Sequence, residues 1–178
     1  FKKVCMIFPF ENLSSESSID WYEYGIRYSI TSDLYQDMHV KLKSPHYLKA
    51  KMGFETDEKL SLADKKNISE RKLAEYFITG NYEIVDGEYL IIVEVYKTSR
   101  ANLVSKRTYK NKDYFSLIDE ISLNIKLDLG ISQNYLDTII DLPFSEIETN
   151  SIEALKHFIL GYYYSEYFED KMIHYNKA

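Results

Sequence analysis

Apolar and polar positions fall in blocks along this chain, and the period changes from block to block. Val4 to Phe10 is an apolar run of the kind expected for a strand buried on both faces, and it ends at Pro9, which has no N–H to give a ladder. Asn12 to Ser18 is polar and reads as a loop with serines available as helix caps. From Ser18 to Met38 the period becomes helical, with Ser18 as cap and Ile19, Tyr22, Ile26, Ile30 and Leu34 on one face. Gly25 inside this helix costs about 1 kcal/mol against alanine and points to close packing on a sheet. Val40 to Lys43 is a short strand closed by Ser44-Pro45, and Leu48 to Asp57 has no clear period.

The pattern then repeats. Ser61 to Glu75 predicts a helix with Leu62, Ile68, Leu73 and Ala74 on its apolar side. Tyr76 to Val85 and Glu88 to Lys97 are strands joined at Asp86-Gly87, a two-residue hairpin signal. Val104 to Lys110 is a third strand. Asp113 caps a helix whose apolar side is Phe115, Leu117, Ile118, Ile121, Ile125 and Leu129, and Gly130 stops it. The order β-α-β-α-β-β-β-α predicts an α+β, α/β-like domain over residues 1–130: a mixed β-sheet of about five strands packed with helices. Residues 131–148 read as a connector broken at Pro143, and 149–178 as an α-helical hairpin.

The order of short motifs over residues 4–129 resembles the TolB N-terminal-like domain. The first strand runs into Pro9-Phe10-Glu11-Asn12-Leu13-Ser14; Gly25-Ile26 follows in a helix, then the short strand Val40 to Ser44. Tyr76-Phe77-Ile78-Thr79-Gly80 and the helix start Asp113-Tyr114-Phe115-Ser116-Leu117 running to Ile121 complete the set. Tyr96-Lys97-Thr98-Ser99-Arg100 lacks a glycine that the family often has there. The C-terminal hairpin resembles a tetratricopeptide (TPR) repeat at Leu160-Gly161, Tyr164, Tyr175 and Ala178, with His157 in place of the usual tryptophan and Lys171 in place of a small residue. The resemblance implies a bacterial, membrane-anchored signalling protein with this part in the periplasm or another extracytoplasmic space. It also implies a protein or peptide partner bound through the TPR region. The chain starts one residue before a strand and stops inside an apparent repeat, so a longer protein is expected, with any anchor upstream and further repeats downstream.

Composition narrows the function classes. A net charge of −6 with pI ≈ 5.3 offers no overall attraction for nucleic acid, and no nucleic-acid partner is expected. The one cysteine, Cys5, lies within the first apolar run and reads as a buried structural thiol. No stretch approaches the roughly 18 apolar residues of a membrane span. Seventeen tyrosines are many for 178 residues. Tyrosine buries area while keeping a polar tip, which suits half-buried strands and binding surfaces alike.

Candidate chemistry is sparse. The six glycines are scattered, with no phosphate-binding loop, and no G-x-S-x-G elbow occurs. His39, His46, His157 and His174 are far apart and form no metal motif. Adjacent carboxylates such as Asp119 and Glu120 point apart on a helix and read as solvated surface, as do the basic clusters Lys65-Lys66, Arg71-Lys72 and Lys106 to Lys112. No cofactor, metal site or catalytic activity is expected. Two surfaces remain as ligand or partner sites. One is the loop at the end of the first strand, with Glu11, Asn12 and Ser14, where open α/β sheets place ligands. The other is the tyrosine-rich surface around Tyr162, Tyr163 and Tyr167. The expected function is a non-catalytic sensor or interaction module that binds a protein or a small-molecule ligand, with a hinge near Pro143. The alternative is a TPR scaffold that assembles envelope or cytoplasmic complexes.

Overall fold

The computed structural model describes residues 2–44, 59–164 and 177. Its centre is a six-stranded mixed sheet of β1 (Lys3–Ile7), β2 (Glu11–Asn12), β3 (Val40–Lys43), β4 (Tyr76–Val85), β5 (Glu88–Lys97) and β6 (Asn102–Asn111). The order across it is β3-β1-β4-β5-β6, with β2 also paired to β4. β1 is parallel to both β3 and β4, whereas β4, β5 and β6 form an antiparallel meander. The Asp86-Gly87 turn has positive φ at both residues, as a tight hairpin between right-twisted strands requires.

The expected Val4–Phe10 strand ends at Ile7, and the expected loop at Asn12 begins inside a strand. Pro9 has no N–H, so the ladder breaks there, and the chain rejoins β4 at Glu11 opposite Asn81. Ile7 pairs with Ile78 and Glu11 with Asn81, so Phe8, Pro9 and Phe10 face only Thr79 and Gly80. The extra residue lets the Phe10 ring lie over Gly80, where a Cβ would stand 2.5 Å from Phe10 Cε1.

Both faces of β1 are covered, as its unbroken apolar run requires. Met6, Phe8 and Phe77 pack with Ile68 and Ala74, under α2 (Leu62–Arg71). Cys5, Ile7, Ile78, Ile91 and Val93 face the larger core beneath α1 (Tyr22–Leu34) and α3 (Tyr114–Asp128). Four tyrosines gather in that core. Tyr22 lies against Tyr82, Tyr89 and Tyr114, its hydroxyl 2.9 Å from that of Tyr89, while the Tyr114 and Ser29 hydroxyls are also 2.9 Å apart. With the Tyr82 hydroxyl donating to Ile19 O, these four rings pack in the core with their polar tips bonded. Cys5 is buried, and burial pushes its thiol up to about 12, so it stays protonated and inert.

The helices depart from the sequence pattern at the start of α1, at Gly25 and at the end of α2. α1 starts at Tyr22, not Ser18, because residues Ser17–Ile19 form a separate 3-10 turn. A Cβ at Gly25 would meet the Trp21 ring at 2.9 Å, so that glycine accommodates an indole and not the sheet. α2 stops at Arg71; Leu73 takes φ 56 just beyond it and is 81% exposed, and Leu62 is exposed as well. Leu73 N–H donates to Glu70 O and Ala74 N–H to Ser69 O, a Schellman motif. α3 ends the same way, with Gly130 at φ 80 in the equivalent position.

Residues 131–148 carry two short helices, α4 (Gln133–Leu136) and α5 (Phe144–Ile147). Phe144 is fully buried, stacked on Phe115, and its N–H donates to Asp119 at 2.8 Å. Lys126, without exposed surface, donates to Asp141 at 2.6 Å. α6 (Ile152–Ile159) buries Leu155 and Ile159 in the same core and runs into a π-helical turn over Leu160–Tyr164. The second helix of the expected TPR pair lies outside the described residues. No helix among the described residues is long and apolar enough to cross a membrane.

Candidate ligand pocket

Parallel pairing sets the C-terminal ends of β1 and β3 side by side. An open pocket of about 410 Å³ lies there, floored by Ile7, Leu42 and Ser44. One wall is a single face of α1, formed by Arg27, Tyr28, Thr31 and Ser32 at helical spacing and continued by Tyr35 at its C-cap. The other wall is Phe158 of α6 with Tyr162 and Tyr163 of the π-helical turn. The size falls within the range of small-molecule sites, roughly 300–1,000 Å³.

Aromatic packing builds the second wall. Phe158 packs against Tyr28 at 5.0 Å between ring centres and stacks on Tyr162 at 5.9 Å. Tyr163 stacks on Tyr24 of α1 at 4.8 Å. Tyr35 and Tyr162 stand exposed at the mouth. Burial, with the Glu148 carboxylate adding to it, pushes the Tyr28 phenol up to about 12. Burial likewise raises Tyr163, against the pull of the Arg27 charge.

Arg27 is the one charged side chain of the walls that is sunk into the protein, at 7% exposure. Its Nε donates to the Ile7 carbonyl at 2.9 Å, at the end of β1. Its Nη1 donates to the Tyr163 hydroxyl at 3.2 Å and its Nη2 reaches Ser44 Oγ at 3.5 Å. All three acceptors are neutral, and among the described residues no carboxylate pairs with this guanidinium.

The residues singled out from sequence separate into two places. Asn12 and Ser14 shape a turn: Asn12 Oδ1 accepts from the Ser14 N–H and hydroxyl, and Asn12 Nδ2 donates to Glu16 O and Asp20 Oδ1. Glu11 pairs with Lys59 on the surface. None of these three lines the pocket. Tyr162 and Tyr163 do line it, and Tyr167 lies outside the described residues. The sequence pattern does not mark Arg27. Glu23, four residues earlier, invites a helical ion pair, while the hydrogen bonds of Arg27 run to β1, Ser44 and Tyr163.

Elsewhere Lys65 Nζ donates to Thr79 Oγ1 at 2.6 Å, and burial lowers its pKa. Among the described residues no group of three His, Cys, Asp or Glu side chains could hold a metal ion.

No protein-family model matches the chain and no curated protein is similar to it in sequence. Solved structures are similar in part. The LpoB C-terminal domain from Escherichia coli is 10% identical, with TM-score 0.49 over 61% of this chain and 82% of that one. Lipoprotein GNA1162 from Neisseria meningitidis is 9% identical, with TM-score 0.49 over 70% of this chain and 95% of that one. TolB from Acinetobacter baumannii is 10% identical, with TM-score 0.47 over 72% of this chain and 28% of that one. At these values the likeness assigns neither ligand nor partner. The architecture is that of an α+β protein: a mixed sheet covered by helices on both faces.

Proposed function

We propose that this chain is a non-catalytic binding module, a sensor that takes a small ligand in the pocket at the ends of β1 and β3. The observation that carries the reading is the composition of the pocket: the sheet supplies its floor, α1 one wall, and the α6 end of the chain the other. A ligand seated there would touch both the sheet unit and the C-terminal helical segment. Binding would favour the arrangement in which those parts are docked, and that differential affinity is what a sensor requires. The resemblance of residues 4–129 to the TolB N-terminal-like domain supports placing the module in a membrane-anchored bacterial signalling protein, outside the cytoplasm. A protein or peptide partner would then read the position of the C-terminal segment.

The test is a titration of the isotope-labelled chain with small anionic, neutral and cationic fragments, read by amide chemical shifts. The reading expects saturable shifts at Arg27, Thr31, Leu42 and Phe158, with each fragment recovered unchanged. Shifts confined to other surfaces, no saturable shift from any fragment, or chemical conversion of a bound fragment would overturn it.

A further inference from the structure

We propose that the pocket is an oxyanion site, and that Arg27 receives the carboxylate or phosphate group of a ligand with a flat apolar body. This rests on the binding reading above and names its ligand class. A guanidinium presents five N–H donors and carries a full charge at any physiological pH. The described bonds of Arg27 use three donors, one of them at 3.5 Å, and every acceptor is neutral. A cation sunk to 7% exposure without a counter-ion among the described residues is costly, and an anion entering the pocket would relieve that cost.

The anchor is already oriented. The Nε bond to Ile7 O fixes the base of the guanidinium on the sheet, and Nη1 and Nη2 are the groups directed to Tyr163 and Ser44 of the pocket lining. A planar fork of this kind suits the two oxygens of a carboxylate or a phosphate. Ser44 and Thr31 line the same pocket with hydroxyls, and Lys43 adds a second positive charge. The body of the ligand has its own surface: Phe158 and Tyr162 are stacked with their planes 10° apart. Tyr35 stands at the mouth, 67% exposed. Aromatic faces of this kind receive flat rings.

The experiment titrates the chain with benzoate, phenyl phosphate, benzyl alcohol and benzylammonium, and with acetate and inorganic phosphate as body-less anions. The Arg27 Nε–H resonance and the backbone amides are followed together. The proposal expects benzoate or phenyl phosphate to shift Arg27 and to bind about ten-fold or more tightly than benzyl alcohol. It expects benzylammonium not to bind, and acetate and inorganic phosphate to bind more weakly than their aromatic counterparts. Which of the two aromatic anions binds more tightly separates a carboxylate ligand from a phosphate one. Arg27→Lys, which keeps the charge, should weaken the anion about ten-fold, and Arg27→Gln should erase the preference over benzyl alcohol. The wild-type series decides the matter if Arg27→Gln fails to fold. Equal binding of anionic and neutral fragments in the pocket overturns this proposal and leaves the binding reading standing. Absence of any pocket binding overturns both.

Discussion

The Arg27 guanidinium and the Tyr163 hydroxyl, 136 residues apart in sequence, lie 3.2 Å from each other. This bond joins the first helix of the sheet unit to the turn that follows α6, across the pocket they share. Tyr163→Phe keeps the ring that stacks on Tyr24 and removes only the hydroxyl. Because the donor is charged and the site half-buried, the expected loss is about 1 kcal/mol of unfolding free energy in urea titrations. A loss near zero would mean that the bond does not hold the two parts together.

Asp33, almost fully buried, should make stability depend on pH. Burial raises its carboxyl to about 6, with Ser122 and Lys126 pulling it back. An acid whose folded pKa lies above its unfolded value binds its proton more tightly when folded. Its stabilising contribution is therefore complete below about pH 4 and is lost as pH rises through about 6. Asp33→Asn imitates the protonated form, so the variant should gain about 2 kcal/mol on the wild type between pH 4 and pH 7.5. A difference independent of pH would contradict the shift.

Phe144 tests whether the stretch around Pro143 is packed or loose. Its ring is fully buried against Phe115, so Phe144→Ala should cost about 3–5 kcal/mol. A cost under about 1 kcal/mol would instead place a yielding hinge there.

Backbone geometry supplies a pair of opposite glycine predictions. Gly80→Ala would drive a Cβ onto the Ile92 carbonyl oxygen and the Phe10 ring, and should destabilise by about 3 kcal/mol or more. Leu73→Gly should stabilise by about 1 kcal/mol, since Leu73 is exposed and holds a left-handed φ of 56 that glycine adopts freely. Thermal unfolding of both variants beside the wild type is the check.

The sequence pattern is legible wherever burial imposes a period. The β4–β5 hairpin falls on the expected Tyr76–Val85 and Glu88–Lys97 with its Asp-Gly turn between them, and the α3 cap and stop fall at Asp113 and Gly130 as expected. Features set by other forces are not. β2 is a two-residue pairing, too short for any period, created when the ladder resumes beyond Pro9. The end of α2 is hidden because a leucine occupies the position that glycine marks at the end of α3. The candidate site divides in the same way. Aromatic density drew attention to Tyr162 and Tyr163, which do line the pocket. Arg27 carries no such mark, because a lone arginine in a helical pattern looks the same whether it faces solvent or a pocket. Only the three-dimensional approach of β1, β3 and α6 turns that residue inward.

Hydrogen exchange at Ile152–Tyr164, with and without a saturating pocket ligand from the fragment titration, tests the central claim most directly. If the ligand bridges the sheet floor and the α6 wall, exchange there should slow several-fold, with β5 and β6 unchanged. Saturated binding with unaltered exchange in that segment would contradict the account, because occupancy would then leave the C-terminal segment as it was.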